Sequence, residues 1–221
     1  MNDFKDIRVF YKKTGRLKYI SHLDINRCMQ RALKRAGLPV WYTQGFNTHI
    51  YLTFALPLSL GYESNYEVMD FRLIEEVPFE EVKQRMNEAL PEGLEVFRVV
   101  EKRDKVDTIA AACYQIRLYG DDLQELETAW TDFLSEPWIE VEKKTKKGTM
   151  KTLDLKPALL EREIKELPGQ TELTLLLPCS SSDTVNPLLI WGAYGRFIGR
   201  EIPSPQVTRM DVYTADGKPF C

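Results

Sequence analysis

An α+β fold of two tandem βαββαβ units is predicted by three observations. The chain, at 221 residues, is long enough for two domains of ordinary size. Its apolar residues switch repeatedly between a two-residue period and a three-to-four-residue period. The order strand, helix, strand, strand, helix, strand can be read once before a charged and then Ala-rich stretch at 101–112, and again after it.

In the first half, Ile7-Arg-Val-Phe-Tyr11 alternates as a strand, and a Lys-Lys-Thr-Gly turn leads into a short return, Leu17 to Ile20. Ser21-His-Leu-Asp24 has the shape of a capping box, with Asp24 in place of the longer Glu. The helix it opens runs to about Ala36, closed by Gly37 and by Pro39 just beyond. Ile25, Cys28, Met29, Ala32, Leu33 and Ala36 make its buried face. Val40-Trp-Tyr-Thr43 is an extended run, followed by the glycine-pivoted loop Gln44–His49. Tyr51–Leu56 is a further extended run ended by Pro57, and reads as an added strand or a lengthened loop. A strand at Tyr66–Leu73, a helix at Phe79–Leu90 opened by Pro78, and a strand at Leu94–Val100 complete the unit. This is the ferredoxin-like split order, with the first domain at 1–105.

The second domain, 113–221, repeats it. Tyr114–Tyr119 is a strand and Leu123–Leu134 a helix that buries Leu126, Ala129, Trp130, Phe133 and Leu134. Ile139–Glu142 and Met150–Leu155 flank a lysine-rich turn as a hairpin. Ala158–Lys165 fits a short helix or a strand equally well. Glu172–Leu177 is a strand, Asn186–Gly195 a helix with Pro187 at its first position, and Val207–Tyr213 the closing strand.

Composition excludes several classes. A hydrophobic share of 43% with 29% charged residues fits a soluble globular protein, and no run reaches the ~18 apolar residues of a membrane span. The start, Met-Asn-Asp-Phe-Lys-Asp, has no apolar core of a signal peptide. Cys28, Cys113, Cys179 and Cys221 are far apart without a Cys-x-x-Cys, which argues against a zinc ribbon or a locally ligated iron–sulfur cluster and for the cytosol. No Gly-x-Gly-x-x-Gly or phosphate-cradling loop occurs. Ser180-Ser-Ser-Asp-Thr lacks a nearby base and reads as a loop.

Charge is distributed unevenly. Residues 1–50 hold ten Lys or Arg against three Asp, a net of +7 in a chain that totals −3, so the other 171 carry −10. On the first helix Arg27, Arg31, Lys34 and Arg35 fall opposite the apolar face, with no carboxylate after Asp24. Like charges at i, i+4 repel, so such a ridge points to phosphates as its missing partners. Arg16 and Lys18 lie just upstream. Lys143, Lys144, Lys146 and Lys147 crowd a hairpin tip, as an edge guard or a second phosphate contact. Tyr42 and Phe46 are the rings expected to be exposed and able to stack on a base, with Gln44, Asn47 and Asp24 as polar contacts beside them. RNA is the partner expected from charge placement, although no RNP1 motif and no Gly-x-x-Gly clamp are present.

Arg16-Leu-Lys-Tyr-Ile-Ser-His-Leu-Asp24, Arg31-Ala-Leu-Lys-Arg-Ala-Gly-Leu-Pro39, Gln44-Gly-Phe-Asn47 and Pro57-Leu-Ser-Leu-Gly61 resemble a bacterial radical-SAM-linked family. It is a domain of unknown function fused to, or encoded beside, a cobalamin-type radical SAM protein. The resemblance is dense over 7–75. It implies a radical SAM partner and RNA- or ribosome-related work, but no established reaction, and the chain itself lacks the cysteine triplet of a radical SAM core. The family's Gly-Phe-Asn-Pro-His-Pro reads Gly45-Phe-Asn-Thr-His-Ile50 here, which loses both prolines and predicts a less rigid loop around His49.

The expectation is therefore an accessory protein without catalysis or cofactor, which binds RNA and presents it to a radical SAM enzyme. Two alternatives stand beside it. His22 and His49, the only histidines, could act as acid and base in a metal-independent ribonuclease. Tandem ferredoxin-like units also frame the RAMP endoribonucleases that process CRISPR repeats, a likeness of fold alone. Their C-terminal glycine-rich loop is missing here, since Gly192, Gly195 and Gly199 are spread out. The other alternative is a protein-docking module that binds no nucleic acid. A metal site from His22, Asp24 and His49 has suitable ligands but awkward spacing, and none is expected.

Overall fold

In the computed structural model the protein is α+β and divides into two compact units, one of 1–108 with 219–221 and one of 109–218. The structure describes residues 4–119, 123–144, 150–159, 161–167, 170–180, 184–199 and 201–221.

The first unit follows the order β1 (Lys5–Lys13), α1 (His22–Arg35), β2 (Leu52–Phe54), β3 (Glu63–Leu73), α2 (Phe79–Ala89) and β4 (Leu94–Glu101). Its strands lie in the order β4-β1-β3-β2, each pair antiparallel. Ile7, Val9 and Tyr11 of β1 and Met69, Phe71 and Leu73 of β3 bury one face of the sheet. They pack with Ile25, Met29 and Leu33 of α1 and Val82 and Met86 of α2 in one core. That is the period-two pattern of the strands meeting the helical stripe. The run expected as a strand at 40–43 makes only single bridges, Val40 to Leu73 and Tyr42 to Ile50. The second strand is β2 instead, because the chain leaving Pro39 is tied to the end of β3 through Trp41 N to Arg72 O and then turns outward.

On the opposite sheet face Arg8 and Phe10 are fully buried. The segment 219–221 covers part of it. The Phe220 ring lies 4.4 Å from the Arg8 guanidinium, and Tyr66 donates to the main-chain oxygen of Phe220 at 2.7 Å.

In the second unit the order is β5 (Ile109–Tyr119), α3 (Leu123–Ser135), β6 (Glu140–Lys144), β7 (Met150–Asp154), β8 (Glu161–Leu167), β9 (Gln170–Pro178), α4 (Pro187–Phe197) and β10 (Gln206–Thr214). Strands run β10-β5-β9-β8, and β6 pairs with β7 as a separate hairpin. Of the charged and Ala-rich stretch 101–112, expected as the linker, residues 109–112 are part of β5, since Ile109, Ala111 and Ala112 bury like strand residues. The undecided segment before β9 is a strand, β8. Ala112, Tyr114 and Ile116 face Leu177, Leu175 and Leu173 across β9. Trp130 and Phe133 of α3 meet Tyr194 of α4 at 4.8 and 5.5 Å. Asn186 caps α4 by accepting from Leu188 N at 2.9 Å, which places Pro187 at the position where a missing N–H costs nothing. Among the described residues no helix is long and apolar enough to cross a membrane.

Candidate nucleic-acid interface

The ten cations of residues 1–50 separate into two groups. Arg8 is buried against Asp70, while Lys5 pairs with Glu76 at 2.8 Å and Lys12 with Glu95 at 3.0 Å. Lys13 is buried and donates to Ile20 O. The six that remain are Arg16 and Lys18, in the 3₁₀ turn Gly15–Tyr19, and Arg27, Arg31, Lys34 and Arg35 on α1.

Helix α1 opens at a Ser21 cap. The Ser21 hydroxyl accepts from Asp24 N at 3.2 Å and donates to the Asp24 carboxylate at 2.7 Å. At the other end Ala36 closes the helix and Gly37 turns left-handed, with φ +62. The Ser21 hydroxyl, and then Arg27, hold the Asp24 carboxyl below its ordinary range. The Arg27 to Asp24 pair is 3.3 Å long with both side chains more than half exposed, and an exposed pair of this kind gives way readily to a phosphate. Lys34 puts its ammonium 5.7 Å from the Tyr42 ring, and Arg35 donates to Ala89 O, at the end of α2, at 2.6 Å. Arg31, Lys34 and Arg35 have no carboxylate partner among the described residues. Burial pushes the Cys28 thiol up, opposed by the charges of Arg35 and Arg31.

The loop 44–49 projects from the turn that bridges Tyr42 and Ile50. Thr43 and His49 clasp its base. Thr43 N donates to His49 O at 2.8 Å, and His49 N donates to the Thr43 hydroxyl at 3.1 Å. His49 Nδ1 lies 2.8 Å from Asn47 O. A carbonyl only accepts, so Nδ1 is the donor in this contact. These bonds hold His49 without the two prolines. Gly45 has φ +120, a backbone that side chains rarely adopt, and Phe46 beyond it is fully exposed. Gln44 and Asn47 flank it, both exposed.

The two histidines are not brought together. The His22 ring meets Phe54 edge-on at 4.9 Å at the start of α1. His49 is held by Thr43 at the base of the 44–49 loop. An acid and a base serving one phosphodiester must each reach it within hydrogen-bond distance, and His22 and His49 are each engaged by neighbours of their own, Phe54 and Thr43. No group of three His, Cys, Asp or Glu side chains among the described residues could hold a metal.

Lys143 and Lys144 lie in β6, while Lys146 and Lys147 fall outside the described residues. Three exposed apolar residues lie at or beside the start of α1 without a signal in charge placement: Tyr19, Leu23 and Leu60, at 68, 58 and 65% exposure. Gly61 N bonds Lys18 O at 2.8 Å, so the turn carrying Leu60 sits beside Tyr19. Leu23 was legible as an anomaly, because it stands four residues before Arg27 on the cationic face.

A family described as uncharacterized protein conserved in bacteria (DUF2344) matches residues 6–187. No curated protein matches the chain. Among solved structures, the crystal structure of an unknown protein from Galdieria sulphuraria is similar over 94% of this chain and 99% of that one, at 10% identity and a TM-score of 0.28, a likeness too low to carry an argument.

Proposed function

The chain belongs to this family of uncharacterized bacterial proteins (DUF2344), and for it we propose a non-catalytic accessory role: binding RNA by its phosphates and presenting it to a radical SAM enzyme in the cytosol. The observation that carries the reading is the contrast among the cations of the first unit. Lys5, Arg8 and Lys12 have carboxylate partners, whereas Arg31, Lys34 and Arg35 line one helix face without any among the described residues. Phosphates are the anions that suit such a face, since each neutralised phosphate releases counterions. The radical SAM partner rests on the motifs at 16–24, 31–39, 44–47 and 57–61, and the cytosol on four free thiols. We read each unit as ferredoxin-like. Support comes from the strand order, with the outer strands of each unit reached through one helix apiece and the hairpin β6–β7 inserted between α3 and β8.

The test is an electrophoretic shift of total cellular RNA at 50 and 200 mM salt, with wild type and an Arg31→Glu/Lys34→Glu variant. Binding that weakens steeply with salt and is lost in the variant is the expected result. Absent or salt-insensitive binding by wild type overturns it. The second reading, a docking module without nucleic acid, is favoured by the exposed Tyr19, Leu23 and Leu60. Copurification of a radical SAM protein free of RNA would select it.

A further inference from the structure

We propose that the Gln44–His49 loop is a stacking platform for an unpaired nucleobase, so that the nucleic acid met by α1 is single-stranded where it touches the loop; this deepens the phosphate-binding reading and rests on it. Phe46 has a relative exposure of 114%, the highest of the exposed large hydrophobic residues. The other phenylalanines of the first unit are engaged. Phe4 lies against Trp41, Phe10 against Tyr66, Phe54 against His22, and Phe71 and Phe79 pack in the core. Phe97 lies against Phe10 and Tyr66.

The loop also holds its ring out on a fixed base. Gly45 at φ +120 makes the bend, and the Thr43–His49 clasp with the His49 Nδ1–Asn47 O bond closes the loop behind it. A loop whose backbone is bonded before binding has less backbone freedom to lose on binding.

What surrounds the ring selects the occupant. An aromatic anchor for a protein socket sits in an interface core depleted of charge. Here Gln44, Asn47 and Thr48 are exposed and polar, and the Lys34 ammonium lies over the neighbouring Tyr42 ring. A nucleobase matches this set, because its face stacks on a ring, its edge pairs with amides, and its phosphate meets a cation. In a duplex both faces of a base are covered by its neighbours in the stack, so the contact requires an unpaired one.

The probe is a 12-residue oligoadenylate carrying one 2-aminopurine, alone and annealed to oligouridylate, titrated into wild type, Phe46→Ala, Phe46→Trp and Arg31→Glu/Lys34→Glu. Phe46 makes no packing contact, and a thermal melt of Phe46→Ala matching wild type verifies that the fold is kept. Expected are tighter binding of the single strand than of the duplex, and a 2-aminopurine fluorescence change on binding. Phe46→Ala should weaken single-strand binding on the order of 5- to 100-fold, leave duplex binding unchanged, and be rescued by Phe46→Trp. Unchanged single-strand binding by Phe46→Ala, with binding still lost in Arg31→Glu/Lys34→Glu, overturns the platform and leaves phosphate binding intact. Loss of a copurifying protein in Phe46→Ala with RNA affinity unchanged overturns it in favour of a protein anchor. Failure of wild type to bind either form overturns both.

Discussion

Arg8 donates from Nε and Nη2 to the two carboxylate oxygens of Asp70, at 2.8 and 3.0 Å, with neither side chain reaching solvent to more than 4%. Lys102 adds a third contact at 3.1 Å, and Arg8 also bonds the main-chain oxygens of Asp104 and Cys221. Removing one partner of a buried pair strands the other charge, which typically costs about 3–5 kcal/mol. Asp70→Asn is therefore expected to lower the unfolding free energy in urea by that amount. Replacing both, as Arg8→Met/Asp70→Leu, should recover much of the loss, since the penalty lies in the unpaired charge. Equal losses from both variants would show that the pair itself, and not the stranding of a charge, supports the fold.

Arg31 and Lys12 provide a matched pair of cations with different surroundings. Lys12 is already neutralised by Glu95, whereas Arg31 is exposed without a carboxylate partner among the described residues. If α1 meets phosphates, Arg31→Gln should reduce the slope of log affinity against log salt for single-stranded RNA by about 0.7, the value for one lost contact. Lys12→Gln should leave the slope as it was. A titration series from 50 to 300 mM salt reads both, and equal slopes for the two variants would place the contacts elsewhere than on α1.

How much of this was legible in the sequence depends on the range of the interaction. Ser21, Asp24, Gly37 and the apolar stripe from Ile25 to Ala36 specify α1 locally, and the structure has that helix within one residue of its expected end. Lys5, Arg8 and Lys12 are paired with carboxylates of other elements, whereas none of the six cations singled out on the first unit is so paired among the described residues. The failures are long-range. Nothing local separates Val40–Thr43 from Leu52–Phe54 as the second strand, because the choice is made by pairing with β3. The charge count of residues 1–50 could not show that Arg8 is buried, since its partner Asp70 is over sixty residues away.

Ser21 and Asp24 make a pH-dependent cap. The Asp24 carboxyl is held below its ordinary range by the Ser21 hydroxyl first and Arg27 second. A depressed carboxyl supports the fold above its unfolded pKa of about 3.9, and the support is lost as pH falls through the folded value. Ser21→Ala removes the capping oxygen and is expected to destabilise by about 1 kcal/mol at pH 7. The gap between wild type and Ser21→Ala should narrow below pH 4 in urea titrations. A gap that is constant down to pH 2 would show that the hydroxyl acts on the helix N–H alone.

Tyr114 titrates in the opposite sense. Burial raises its phenol strongly, against the pull of the Arg209 guanidinium, and Cys179 Sγ at 3.9 Å adds to the rise. As pH climbs past about 10, the unfolded chain releases this proton while the folded chain keeps it, so unfolding gains. Stability from this group is thus complete below pH 10 and declines above it. Tyr114→Phe has no proton to release, so wild type should lose more stability than the variant between pH 9 and pH 11. Parallel losses would show that Tyr114 ionises as easily folded as unfolded.

Gly93 links the sheet to the turn that carries two of the cations. Its φ is +90, and a Cβ there would stand 2.7 Å from Thr14 O, whose own N–H bonds Gly93 O at 2.8 Å. Gly61 has a similar φ of +86 but open space around its position. Gly61→Ala therefore meets backbone strain alone, of order 1 kcal/mol, while Gly93→Ala must also move Thr14, for a total of about 2–3 kcal/mol. Thr14 leads directly into Gly15–Tyr19, so its shift displaces Arg16 and Lys18. Gly93→Ala should accordingly weaken RNA binding as well as lower the melting temperature, whereas Gly61→Ala should do so to a smaller degree on both counts. Equal effects of the two substitutions would mean that the close approach at Thr14 constrains neither the turn nor the cations it places.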